Sequence, residues 1–174
     1  MKRIYSHLTL IMLFLIGSSF SINNKSLKLS NHAFQIERSK DSNTIYYDIN
    51  LEKDGTLNQE HPIKVYWIKY AEDGQKESLT WIQKHYAYGL KFTSITKTEA
   101  KFEFVSYGKR ALIVKKNKHG KYVIYTKSKG KELELNKIFI KITGGTFWFP
   151  KIPEVKLYGK DALTHKEITE TIKP

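Results

Sequence analysis

From Leu90 onward the chain is a succession of short runs rich in Phe, Tyr, Ile and Val: LKFTSIT, AKFEFVSY, RALIVKK, GKYVIYTK and KIFIKIT, parted by turn-forming residues. Runs of this length and composition suit strands and are too brief for free-standing helices. EVKLYG and EITETI repeat the pattern at the end, and HAFQIER, TIYYDINL and IKVYWIKY precede it. Ten or so strands at this spacing predict a mainly β fold, an antiparallel β-sandwich or barrel.

The opening runs can be read face by face. In HAFQIER, Phe34 and Ile36 share one side, and Ala33, Gln35 and Glu37 share the other. SKDSN is a turn cluster, so HAFQIER and TIYYDINL form a hairpin. Residues 52–62 are a longer loop ending at Pro62. IKVYWIKY puts Val65 and Trp67 on one side and Tyr66, Ile68 and Tyr70 on the other, which predicts a central strand with both faces at least partly covered.

One segment breaks the strand rhythm. AEDGQKES reads as a turn, and TWIQKHYAYG then follows helical spacing. Thr80 and Gln83 form a capping-box pair, in which each side chain serves the other's backbone amide. Gly89 stands where a left-handed C-terminal cap would fall. The result is one short α-helix inserted after the third strand. With about two turns it cannot persist alone in water, so its aromatic residues are expected to dock it on the sheet.

The first residues do not belong to this domain. MKR, the apolar LTLIMLFLIGSSF and the small residues Ser19 and Ser21 make a signal peptide over residues 1–21. The apolar run falls short of the roughly 20 residues a bilayer span needs, so no transmembrane segment remains after cleavage. A retained anchor is the competing reading. Residues 22–31 are a polar, mobile leader, and 32–174 are one β-rich domain. Export to the periplasm or beyond follows. The chain has no cysteine, which excludes disulfide scaffolds, thiol catalysis and cysteine-ligated metals.

The net charge is +13, and it is unevenly spread. Between Glu103 and Glu132 there is no acidic residue, and the stretch holds Lys109, Arg110, Lys115, Lys116, Lys118, Lys121, Lys127, Lys129 and Lys131. Alternation would gather Lys115, Lys121 and Lys127 near the NKHG turn. One reading is a surface for an anionic glycan, lipid or acidic protein; the other is an edge hairpin whose lysines repel neighbouring sheets. Nucleic acid is a poor partner, because no stacking module is present.

FQIERSKDSNTIYYDIN, HPIKVYWIKYAEDGQKESLTWIQKHYAYGL and the closing VKLYGKDALTHKEITE resemble the domain of unknown function 4833 family, small exported bacterial proteins common in the Bacteroidetes. The likeness covers nearly all of residues 22–174. It implies an exported single domain with no assigned activity, and so supplies no catalytic residues. It also implies Thr–Gly–Lys where this chain has Thr164–His165–Lys166; losing a glycine there calls the turn geometry into question.

No catalytic or phosphate-binding motif stands out. His32, His61, His85, His119 and His165 show no metal-ligand spacing, and no metal or cofactor is predicted. Glu37, Asp41 and Asp48 could face one another across the first hairpin as a glycosidase pair does, though any hairpin offers such a pair. Arg38 is expected to pair with Asp48 across that hairpin, or else to clamp a ligand carboxylate or phosphate. The aromatics Tyr66, Trp67, Tyr70, Trp81, Tyr88, Phe147, Trp148 and Phe149 could face a sugar or lipid, or fill the core. Three consecutive aromatics in TFWFP cannot all face inward.

These residues support three functions. The first is a non-enzymatic binding module for a small, glycan or lipid ligand, with its site beside the 81–89 helix and Arg38, Asp48, Trp67, Trp81 and Tyr88 as contacts. The second is surface interaction through the basic hairpin at 109–131. The third is a hydrolase with strand-borne carboxylates.

Overall fold

Alternation of apolar and polar residues places Phe34 and Ile36 inward from β1 (His32–Arg38) and Ile45, Tyr47 and Ile49 inward from β2 (Asp41–Ile49). The two strands pair antiparallel, as the turn at Ser39–Lys40 requires. The computed structural model describes residues 31–146 and 149–174. The expected signal peptide, the leader up to residue 30, and Phe147 and Trp148 lie outside these.

After β2 come β3 (Ile63–Lys69), β4 (Gln75–Ser78), the helix α1 (Trp81–Tyr86), β5 (Leu90–Ile95), β6 (Ala100–Phe104), β7 (Tyr107–Lys116), β8 (Tyr122–Ser128) and β9 (Lys131–Lys141). The ribbon strands β10 (Gly144–Gly145) and β11 (Pro150–Lys151) follow, then β12 (Glu154–Asp161) and β13 (Glu167–Ile172). The main sheet runs β4-β3-β2-β1-β9-β8-β7-β6-β5, with β12 and β13 added beside β9. It curls into a half-barrel, the mainly β architecture expected.

The ninth strand decides the shape. Along one of its edges β12 pairs from Leu133 to Lys141. The other edge is shared: β8 pairs with Lys131–Glu134, and β1 pairs with Lys137–Ile140. Two wings, β1–β4 and β5–β8, therefore leave the same edge of one strand. The β1–β9 contact is parallel, an exception to the all-antiparallel expectation. Its partners are joined through the whole second wing, and a parallel pair needs such a long connection.

Aromatic packing closes the wings over a common core. Phe34 stacks on Tyr47 at 4.3 Å, and Phe104 of the other wing meets both rings edge-on at 6.1 and 5.8 Å. Ile45, Trp67, Phe102, Leu112, Ile124 and Leu133 extend this layer.

Three sequence readings need correction. AEDGQKES is more than a turn: Asp73 (φ 57°) and Gly74 (φ 73°) reverse the chain, and Gln75–Ser78 pair with β3 as an exposed edge strand. The basic β7–β8 hairpin is not at an edge, since β6 and β9 flank it, so edge protection does not explain its lysines. Lys127 is also remote from Lys115. Leu112 faces Thr126, which sets Lys127 about four residues, roughly 13 Å, farther along the strand.

The helix is attached differently from the expectation. Trp81 and Tyr86 are 63% and 62% exposed, and no helical residue is buried. The capping box does form: Thr80 N–H donates to Gln83 Oε1 at 2.9 Å, and Gln83 N–H donates to Thr80 Oγ1 at 3.3 Å. The same Gln83 Oε1 accepts from Trp67 Nε1 at 3.1 Å, so the cap is also the tether to β3. Beyond the helix, Tyr47 Oη donates to the Tyr88 carbonyl at 2.8 Å, and Ser106 Oγ donates to the Ala87 carbonyl at 2.6 Å.

Gly89 is not the left-handed cap. Its requirement is space, because a Cβ there would stand 1.7 Å from the Lys84 carbonyl oxygen. Gly89→Ala should lower stability by about 2–3 kcal/mol in urea unfolding, through overpacking against backbone. Gly144→Ala, where the added Cβ meets open space, should stay within about 0.5 kcal/mol.

His165 takes up the conformation a glycine would favour, φ 57°. Asp161 Oδ1 holds the turn by accepting from the Leu163 and Thr164 amides at 2.9 Å each. The turn geometry thus survives the loss of glycine, at a steric cost to the imidazole-bearing residue. His165→Gly should raise stability by about 0.5–1 kcal/mol, a gain trimmed by the freer unfolded chain; a higher urea midpoint would register it.

Candidate ligand-binding site

Arg38 continues the inward parity of Phe34 and Ile36 at the end of β1. Its guanidinium lies over the Trp67 ring at 4.7 Å from the centroid and 5.9 Å from that of Tyr88. Nη1 donates to Tyr88 Oη at 3.0 Å and Nη2 to Asp41 Oδ2 at 2.5 Å. Two of its five N–H donors are thereby used. Nε is buried without a hydrogen-bond partner among the described residues. Tyr88 in turn meets Trp67 edge-on at 5.5 Å. Residues of β2, β3 and the segment after the helix therefore converge on one cation.

One cavity opens from this point, and a second adjoins it. The outer one, about 490 Å³, is a vestibule bordered by Arg38, Lys40, Asp41, Gln83, Tyr86 and Tyr88 on one side and by Gly144, Thr146 and Pro150 on the other. The inner one, about 200 Å³, lies at the fork of the sheet among Ile36, Phe104, Leu112, Leu135, Leu157 and Ile172. Ser106, Ile140 and Ile152 border both and mark the boundary between them, here called the neck. The inner chamber's ionic groups at the wall satisfy each other: Arg110 Nη1 and Nη2 donate to Glu170 at 3.1 and 3.0 Å. The chamber can take apolar matter, and the vestibule can take an acceptor.

The five expected contact residues separate. Arg38, Trp67 and Tyr88 come together; Trp67 is only 3% exposed and acts as the floor under Arg38. Trp81 stays outside, stacked on His85 at 4.4 Å. Asp48 lies on the opposite face of the sheet, so the expected Arg38–Asp48 pair does not exist. The physical reason is parity: Asp48 shares a face with Tyr46, while Ile45, Tyr47 and Ile49 point inward. Arg38 finds Asp41 instead, its direct partner across the hairpin.

On that outer face Asp48 completes a phenol network. Tyr66 Oη donates to Asp48 Oδ2 at 2.5 Å, and His32 Nδ1 lies 3.2 Å from Oδ1. Tyr46 stacks on Tyr66 at 5.8 Å, its hydroxyl 2.7 Å from that of Tyr70, and Lys76 Nζ sits 3.5 Å over the Tyr66 ring. Burial pushes the Tyr46 and Tyr66 hydroxyls well above the ordinary phenol range, with their hydrogen-bonded neighbours adding to the effect. Both hydroxyls therefore stay protonated at neutral pH. Burial alone would raise the Asp48 carboxyl; the hydrogen bonds from His32 and Tyr66 outweigh it and lower the pKa.

The other carboxylates proposed for hydrolysis are tied up in pairs. Glu37 is 3.2 Å from Lys137, and Asp41 is held by Arg38. The basic stretch is likewise partly neutralised. Arg110 turns inward to Glu170, Lys115 reaches Glu132 at 2.7 Å, and Lys116 covers the Tyr122 ring at 5.1 Å. Lys109, Lys118, Lys121 and Lys127 are exposed. No group of three or more His, Asp and Glu residues is placed to hold a metal among the described residues.

Residues 34–171 match the family described as Domain of unknown function (DUF4833). The chain belongs to that family. No curated protein and no solved structure shows significant similarity to it. For this DUF4833 member the site must be argued from its own geometry. Sequence reading missed Lys40, Gln83, Ser106, Ile140 and Ile152. Only the position of Gln83 in the capping box offered a signal for any of them.

Asp48 yields a pH-dependent test of its structural role. Its carboxyl has a lowered pKa in the folded state, so its contribution is fully present above the unfolded value of about 3.9 and fades as pH falls toward the folded one. Asp48→Asn should be about 1–2 kcal/mol less stable than the parent at pH 7. That gap should close progressively below about pH 4, as read from urea midpoints across pH.

Proposed function

We propose that this chain is an exported, non-enzymatic binding module for a single-chain amphiphile with an anionic head. The tail enters the apolar chamber, and the head group stays in the vestibule beside Arg38 and Lys40. The observation that carries the reading is the neck: an apolar cavity at the fork of the sheet adjoins, across Ser106, Ile140 and Ile152, a vestibule holding a half-satisfied guanidinium. Arg38 keeps 19% of its side-chain surface exposed, and its unpaired Nη hydrogens can donate charge-assisted hydrogen bonds to a carboxylate or phosphate oxygen. Export is supported by MKR, the apolar run after it and the small residues at Ser19 and Ser21.

The Arg38 environment favours an anion in spite of Asp41. That carboxylate occupies one Nη2 hydrogen and Tyr88 one Nη1 hydrogen, so two Nη hydrogens remain for a second acceptor. Stacking on Trp67 holds the planar fork in place and reduces the ordering cost of binding.

Displacement of the neutral dye N-phenyl-1-naphthylamine provides the test. From octanoate to dodecanoate, each added methylene should tighten binding about fourfold until the chamber is full, at roughly 0.8 kcal/mol per buried methylene. Dodecanoate should bind about tenfold better than dodecanol, and Arg38→Gln should erase that preference while leaving dodecanol unchanged. Ile152→Trp, at the neck, should weaken both. Dye binding that ignores Ile152→Trp, or equal affinity for acid and alcohol, would overturn the reading.

A further inference from the structure

Bulky apolar side chains left in water have their own distribution on this molecule. Six large hydrophobic residues are exposed among the described residues, and four of them adjoin the mouth of the vestibule: Trp81, Tyr86, Val105 and Phe149. Tyr86 borders the vestibule itself, and Trp81 packs edge-on against it at 5.8 Å. Val105 precedes the neck residue Ser106, whose hydroxyl is bonded to the end of the helix segment. Phe149 is 82% exposed, and its amide donates to Thr146, which lines the vestibule. The tether through Gln83 and Trp67 explains why α1 holds its place, but it gives no reason for two aromatic rings to face water.

The charge around these residues is mainly positive, with Asp41 at the vestibule held by Arg38. No acidic residue occurs between Glu77 and Glu99, or between Glu134 and Glu154, the two segments that supply α1 and the β10–β11 ribbon. Lys40 borders the vestibule, Lys84 lies on α1 and Lys151 on β11, and all three are exposed. None of them is held in an ion pair among the described residues. Exposed Trp and Tyr, with lysines interspersed, suit the boundary between headgroups and acyl chains. There an aromatic ring buries its apolar body and leaves its polar tip wet, while ammonium groups meet anionic lipid phosphates.

We infer that the mouth of the half-barrel is a docking surface for an anionic lipid bilayer. Trp81, Tyr86 and Phe149 enter the interface, and Lys40, Lys84 and Lys151 contact the headgroups. Docking would set the neck over the membrane, so that an amphiphile could pass between bilayer and chamber without crossing water. Docking and ligand capture are separable, since Trp81 and Phe149 line neither cavity and Arg38 lies inside the vestibule.

Co-sedimentation with vesicles of equal parts phosphatidylcholine and phosphatidylglycerol tests the docking surface, with pure phosphatidylcholine as the reference. The wild-type protein should bind the anionic vesicles at low salt and shift its tryptophan emission to the blue, an effect absent from Trp81→Phe. Combined Trp81→Ala and Phe149→Ala, at residues that line neither cavity, should weaken binding about tenfold or more. Combined Lys84→Gln and Lys151→Gln should weaken it about 30-fold, at roughly 1 kcal/mol for each lysine near the surface. Both variants should keep their affinity for dodecanoate below its micelle concentration, which shows that the fold and the chamber are intact. Failure of the wild type to bind anionic vesicles while it still binds dodecanoate would overturn docking and leave the ligand reading standing. Docking would equally be overturned if Lys118→Gln with Lys121→Gln abolished vesicle binding while the mouth variants retained it.

Discussion

The architecture depends on one strand edge having to serve two partners. β9 is long enough to pair with β8 over its first residues and with β1 over its last ones, while β12 covers its other side. Strands that leave one edge in succession cannot stay coplanar, because each carries its own right-handed twist. The two wings therefore diverge from β9 and then close on each other through Phe34, Tyr47 and Phe104. At the root of the fork the apolar chamber is the wedge left between side chains of β1, β7, β9 and β12. Wherever an interior is otherwise close-packed, such a space needs a cause; here the cause is topology.

The same wing presents two unlike surfaces. Inward, β1 to β3 deliver Phe34, Ile36, Ile45, Tyr47 and Trp67 to the core, with Arg38 at the last inward position before the turn. Outward, Tyr46, Asp48, Tyr66 and Tyr70 form a hydrogen-bonded and stacked network. Side-chain parity keeps these systems apart, since neighbours in sequence lie on opposite faces. Arg38 is thus free of Asp48 and is positioned by Trp67, Tyr88 and Asp41. A guanidinium laid flat on an indole keeps its charge and exposes its donor edge, a more open arrangement than a fully paired buried ion. Arg110 illustrates the contrast, since Glu170 takes both of its outer nitrogens.

Much of the fold was legible because period-two alternation and turn residues are local signals. The strands of both wings, the Thr80–Gln83 capping box and the two-sided character of β3 follow from residues a few positions apart. Readings failed where a distant segment decided the outcome. Trp81 and Tyr86 look like docking residues for a short helix, yet Gln83 and the segment through Tyr88 and Gly89 hold it instead. The short strand at Gln75–Ser78 is fully exposed, so it carries no apolar alternation to reveal it. The basic stretch suggested a free hairpin, but β6 and β9 enclose it and Glu132 and Glu170 answer part of its charge. Of the candidate site, Arg38, Trp67 and Tyr88 were identified one by one, and Asp48 was assigned to the wrong face.

By itself the sequence determined the class of fold, the faces of most strands, the sign and clustering of charge, and the exclusion of cysteine chemistry. These depend on composition and on spacing within single elements. Tertiary structure alone decided the parallel β1–β9 contact, the fork at β9, the chamber and neck, and the exposure of the aromatics at the mouth. Each requires segments far apart in the chain to meet, and a register between distant strands leaves no mark on the local pattern of either one.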